Sequence, residues 1–167
     1  MAIDGFRFLD RASRQTMRAW QASEPAPADI PWTSLGKPLS EARVALISSA
    51  GLARLDDTPF DQEGERRNPW WGDPSHRVLA REATGDQIGV YHLHIDPRPA
   101  AEDLDCLFPL RRLDHLVETG FVGSSAPNHY SIMGYVLQTD ELVGETAPLI
   151  AEALVRDQVD LALLVPV

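Results

Sequence analysis

The run Val159-Asp160-Leu161-Ala162-Leu163-Leu164-Val165-Pro166-Val167 constrains the fold more than any other part of the sequence. It is short, nearly continuous in apolar residues, and follows an amphipathic segment. That is the pattern of a strand buried on both faces of an α/β sheet. In such sheets ligands and catalytic groups gather just outside the carboxyl ends of the strands. The sequence reaches that point at Val167. The expectation is therefore a sheet truncated after an interior strand: either a partner supplies the missing loop, or the reading frame was cut short.

Other segments supply the rest of an α/β pattern. Arg43-Val44-Ala45-Leu46-Ile47-Ser48-Ser49-Ala50, ending at Gly51, reads as a buried strand opening into a loop. Residues 87–94 and 121–126 read as further strands, and His76-Arg77-Val78-Leu79 as a short edge strand. Pro109 opens a helix that runs through Glu118, with Gly120 just past its end, the expected punctuation of a helix. A last helix spans about Thr146 to Gln158, with Pro148 in its first turn. Alternating strands and helices predict a parallel Rossmann-like or flavodoxin-like sheet flanked by helices. Residues 53–75, with Trp70 and Trp71 adjacent, have neither period and are expected to form one long loop. Residues 128–135 are expected to be the loop after the third strand. Before this domain of residues 40–167, residues 1–39 are expected to hold a helix over 8–22 and a proline-rich arm whose Trp32 docks on the domain.

The net charge of -10, with no basic stripe, argues against a nucleic-acid or anionic-membrane partner. No apolar stretch reaches the roughly 20 residues of a membrane helix, and the first residues lack the order of a signal peptide. A single cysteine, Cys106, permits no internal disulfide, and a cytoplasmic protein is expected. Lys37, the only lysine, lies in a proline-flanked loop and reads as a solvated charge rather than a Schiff-base former.

Four places hold residues capable of chemistry. His92, His94 and Asp96 share a face if the strand runs that far, and two imidazoles with a carboxylate are a possible ligand set. Chance H-x-H pairs and the bend at Pro97 weigh against a metal, and none is assigned. Asn128-His129-Tyr130-Ser131 lies at an expected strand end, where a histidine can exchange protons near neutral pH; the plainer reading is a loop histidine satisfied by a carbonyl. Ser48-Ser49-Ala50-Gly51 is a small-residue turn whose N–H groups can bind a carboxylate or phosphate. It is not a G-x-G-x-x-G, so no dinucleotide is expected. Cys106 precedes an apolar approach to a helix and reads as a buried, inert thiol.

Taken together, these segments resemble the selenoprotein B family of glycine, sarcosine, betaine and D-proline reductases. The matching stretches are Arg43–Leu52, Thr58-Pro59-Phe60-Asp61, Gly72-Asp73-Pro74-Ser75-His76-Arg77, His92 with Asp96, and Phe108–Leu113. His129-Tyr130-Ser131-Ile132-Met133-Gly134, Glu145-Thr146-Ala147-Pro148 and the closing strand complete the string across residues 40–167. His94 and the stretch from Arg66 to Trp71 depart from the family pattern. The family also carries selenocysteine or cysteine, two residues and a cysteine directly after the last strand, where this sequence has Val167. The resemblance implies an oxidoreductase whose selenolate or thiolate attacks the carbon beside a substrate carboxylate. The carbon–nitrogen bond is then cleaved with electrons from a thioredoxin-type dithiol. It implies His129 and Tyr130 as proton donors and Ser48, Ser49, Gly51, His92, Asp96 and Ser131 as binders of a small carboxylate. No cofactor is implied, and a homo- or hetero-oligomer with a partner subunit is.

Two other readings stay open. One is a non-catalytic homologue that binds a small carboxylate or a partner subunit. The other is a metal-dependent enzyme using His92, His94 and His129.

Overall fold

The computed structural model describes residues 6–7, 9–23 and 33–167. The proline-rich arm and Trp32 lie outside the described residues. The chain divides into units 1–34 and 35–167. In the first, helix α1 (Arg11–Ser23) begins at Asp10, whose carboxylate accepts the N–H groups of Ala12 and Ser13. That is the ordinary way to satisfy orphan donors of a first turn.

The second unit is built around β1 (Arg43–Ser48). Strand β7 (Leu161–Val165) pairs with it in parallel along Val44–Leu161 through Ser48–Val165. On the other side of β1 lie β5 (Ser124–Ser125) and then β6 (Asn128–Ile132), both parallel to it. They follow one another along the same edge, with Ala126 and Pro127 between them. Strand β3 (His76–Ala80) closes that side antiparallel to β6, as an edge strand should. The result is a mixed α/β fold with a mostly parallel sheet, consistent with a Rossmann- or flavodoxin-like domain.

Period-2 alternation sorts the side chains of the sheet onto two faces. Val44 and Leu46 pack with Leu79, Phe108, Leu110, Leu113 and Val122 under helix α4 (Leu110–Glu118). Ile47, Tyr130 and Ile132 pack on the other face with Ile150, Ala153 and Leu154 of helix α5 (Ala147–Arg156). Helix α4 starts after Pro109 and stops before Gly120, whose φ of +73° is the left-handed turn glycine adopts without a Cβ clash. At the amino ends of β1 and β7, Asp160 accepts the Arg43 N–H at 2.9 Å and pairs with Lys37 at 2.8 Å. Lys37 is thus a clamp on the sheet rather than a free loop charge. Among the described residues no helix is long and apolar enough to cross a membrane.

Several sequence expectations need correction. Residues 53–75 are not one loop. Leu52–Arg54 forms β2, which pairs antiparallel with β4 (Ile88–Val90) in a separate ribbon, and Gln62–Arg67 forms helix α2. That helix was hidden because it is short and polar, yet Asp61 caps it by accepting the Gly64 N–H at 2.8 Å. The strand expected over 87–94 ends at Val90, before His92. The expected loop over 128–135 begins as β6, so His129, Tyr130 and Ser131 are strand residues. Cys106 is exposed, not buried. Strand β7 lies at the sheet edge, and Leu161, Leu163 and Leu164 are 38%, 48% and 67% exposed.

Candidate functional site

The carboxyl ends of β1, β6 and β7 meet at one rim, tied by backbone bonds. Ser49 N–H donates to Val165 O at 3.1 Å, and Gly51 N–H donates to Ile132 O at 3.0 Å. Val167 N–H donates to Ser49 Oγ at 2.9 Å, so the exit of β7 lies against the exit of β1. Gly51 has φ +61°, and a Cβ there would meet Met133 Sδ at 3.0 Å and His92 N at 3.2 Å. Both the conformation and the space require glycine.

His92 forms the floor of this rim and is 8% exposed. Its Nδ1 accepts the His94 backbone N–H at 3.1 Å, so the neutral ring carries its proton on Nε2. Burial, and then His94, lower its pKa below the ordinary histidine value. A Cβ on the exposed Gly134 would lie 2.8 Å from His92 Nε2, 2.7 Å from Ser49 O and 3.2 Å from Val167 O. Ser49, Gly51, His92, Gly134 and Val167 therefore converge on one small region.

The other expected site residues are placed differently. Ser48 is fully buried; its Oγ donates to Leu107 O at 2.7 Å and accepts the Ala50 N–H at 3.2 Å. Ser131 is also fully buried, accepting the Leu52 N–H at 2.8 Å and donating to Ser48 O at 3.2 Å. Both hydroxyls are consumed in bracing the turn after β1. Asp96 is exposed and grips the Arg98 guanidinium through both oxygens, which holds its carboxyl below the usual range. It does not join His92.

His129 is fully buried, and both ring nitrogens are engaged inside the protein. Leu46 N–H donates to Nδ1 at 2.9 Å, and Nε2 lies 3.1 Å from Ser125 Oγ. Burial pushes its pKa down to about 4. Such a group bridges β1, β5 and β6; the ring is buried and neutral with both nitrogens engaged inside the protein, so, contrary to the sequence expectation, it presents no donor to the rim. Tyr130, next along β6, faces α5, on the opposite side of the sheet from His129. Burial raises the pKa of its hydroxyl. The two do not form one catalytic pair. Among the described residues no group of three His, Cys, Asp or Glu is placed to hold a metal, so His92, His94 and His129 make no metal centre.

Around His94, which the sequence offered only as a possible metal ligand, the structure gathers residues that sequence reading passed over. His94 packs against Tyr135, with ring centroids 4.4 Å apart, and meets His92 edge-on at 5.8 Å. Its Nε2 lies 2.9 Å from Oε1 of Glu65, on α2. The stretches Thr58–Asp61 and Gly72–Arg77 fold into one brace that carries this helix. Asp73 accepts the Asp61 N–H at 2.8 Å, while Arg77 donates to Thr58 O and Pro59 O and lies 4.3 Å over the Phe60 ring. Gly72 lies so close to Tyr135 O that a Cβ would approach within 1.8 Å. The glycine signal was readable in the sequence; the role of Glu65 was not, since nothing marks one glutamate in a polar helix.

A cavity of about 580 Å³ lies elsewhere, lined among others by Arg81, Asp86, Glu102, Phe108 and Asp114. Arg81 N–H donates to Pro127 O, which puts that cavity by the amino end of β6.

No family model and no solved structure matches this chain. The chain is 31% identical over 133 residues to the D-proline reductase subunit gamma of Acetoanaerobium sticklandii, an alignment covering 80% of this chain. It spans about half, 52%, of the length of that curated relative. This similarity supports kinship with a reductase family.

Proposed function

We propose that this chain forms the substrate-binding part of a reductase of the glycine, sarcosine, betaine and D-proline reductase type. The substrate is a small amino-acid-like or betaine-like carboxylate, held at the rim formed by Ser49, Gly51, His92 and Gly134. His92 offers its Nε2–H there, a donor suited to a carboxylate oxygen. The nucleophile is a selenol or thiol carried just beyond Val167. Its anion attacks the carbon beside the carboxylate, and the carbon–nitrogen bond breaks as the amine leaves with a proton. The cysteine expected three positions on then attacks the selenium or sulfur, breaking its bond to carbon, which takes up a proton as the product leaves. A thioredoxin-type dithiol reduces the selenosulfide or disulfide that remains. Partner subunits complete the assembly.

The observation that supports this most is the bond from Val167 N–H to Ser49 Oγ. A group one or two residues beyond Val167 would emerge beside Ser49 and His92. The 31% identity to a reductase subunit supports the same reading from sequence. His129, Ser48 and Ser131 take bracing roles in it, and Tyr130 packs under α5.

Reading the coding DNA past Val167 tests the proposal. The expected result is a UGA codon, an in-frame extension and a cysteine three positions on. A UAA or UAG stop would leave a carboxylate-binding homologue without a nucleophile of its own.

A further inference from the structure

Glu65 is 3% exposed, and both of its carboxylate oxygens are buried without a hydrogen-bond partner. A carboxylate removed from water and left without donors is costly, and such groups call for a functional account. His94 Nε2 lies 2.9 Å from Oε1, but off the line along which the ring N–H would donate. The His94 side chain is itself 52% exposed, wedged between His92 and Tyr135 at the rim. Among the described residues its Nδ1 makes no hydrogen bond.

We propose that Glu65 is a positioning residue for His94, and that the pair is an acid–base dyad at the mouth of the rim. A modest rotation of the ring brings Nε2–H onto Oε1. Loose alignment of this kind is usual before a ligand is bound. The buried carboxylate then fixes the proton on Nε2 and leaves the Nδ1 lone pair facing the open side, the arrangement by which a carboxylate sets a histidine's tautomer. Nδ1 accepts the proton of a thiol or selenol brought to the rim, leaving the anion to bond to carbon. It gives that proton to the amine nitrogen as the carbon–nitrogen bond breaks. The use of the dyad rests on the reductase reading; its geometry does not.

The test is imidazole ¹⁵N NMR on the full chain, with Glu65→Leu and Glu65→Gln. In the native protein His94 should hold its proton on Nε2. Glu65→Leu should give interchanging tautomers at His94 while His129, locked by Leu46, keeps its signals and reports an intact fold. Should Glu65→Leu fail to fold, Glu65→Gln decides: the Nε2 proton resonance should move upfield on loss of the carboxylate. Mixed tautomers in the native protein, an unchanged tautomer in Glu65→Leu, or an unmoved resonance in Glu65→Gln would overturn the dyad. Titration with D-proline separates the two proposals. Shifts at both His92 and His94 support the dyad's place at the rim, and a shift at His92 alone overturns it. A locked tautomer with no shift at either ring keeps the dyad and removes the substrate reading.

Discussion

His129 Nδ1 accepts the Leu46 amide hydrogen across 2.9 Å, and that bond joins the interior of β6 to the interior of β1. It requires an unprotonated Nδ1. Protonation would break the bond and leave a charge buried beside Phe108, whose ring centroid is 5.8 Å away.

Stability should therefore fall with acid. The folded pKa is depressed from 6.5 to about 4, chiefly by burial. The unfolded state takes up the proton first, so this contribution is complete above 6.5 and is lost as pH falls towards 4. The full loss is about 3 kcal/mol. His76 and His92 are shifted in the same direction, again chiefly by burial, and add to the slope. Urea unfolding at a series of pH values should show the native protein weakening across this window and His129→Gln weakening less. Equal slopes would show that the ring is not held neutral.

Ser131→Ala should destabilise without touching the rim. Its hydroxyl accepts from Leu52 N–H and donates to Ser48 O, both buried. Removing it strands a backbone donor, at a cost of about 1–3 kcal/mol. The check is a lowered urea midpoint with unchanged affinity for D-proline at the rim. Lost affinity at unchanged stability would return Ser131 to the binding role its sequence context implied.

The two strongest strands were readable because β1 and β7 are apolar runs, and the capped helix α4 because proline and glycine bracket it. Strand β6 was not, because Asn128, His129, Tyr130 and Ser131 look like loop residues. Three of these are buried, and the His129 and Ser131 side chains bond to backbone groups of β1 and the turn after it, information no local pattern carries. The site suffered likewise. Strand-end logic singled out Ser49 and Gly51, and spacing and the resemblance singled out His92; these three lie together at the rim, whereas Arg98 holds Asp96 two residues on. Glu65 and His94 meet only because Asp73 and Arg77 fold residues 58–77 back on themselves.

Gly134→Ala should disable the rim. The new methyl would lie under 3.0 Å from Ser49 O and from His92 Nε2, forcing one of them aside. Because Ser49 O is backbone, His92 is the group that yields. Affinity for a small carboxylate should drop about tenfold or more, equivalent to about 1.4 kcal/mol. Isothermal titration with D-proline, beside a urea midpoint, separates this from unfolding. Unchanged affinity would mean that the ligand does not use this part of the rim.

Leu164→Lys should prevent association. Strand β7 carries apolar side chains on both faces, with Leu163 48% and Leu164 67% exposed, and Val155 on α5 is 77% exposed. An open, apolar strand edge is a template for pairing with another polypeptide. Burying one leucine of this kind contributes about 1.5–3 kcal/mol, so a single lysine should weaken assembly at least tenfold. Sedimentation velocity over a range of concentrations should show the native chain as more than a monomer, alone or with a partner subunit, and Leu164→Lys shifted towards the monomer. Since Leu164 is mostly exposed within one chain, the urea midpoint of the substituted monomer should hardly move, which distinguishes a lost interface from a damaged core. A native chain that stays monomeric at every concentration, and that binds no partner subunit, would mean that β7 is a tolerated edge rather than a contact surface.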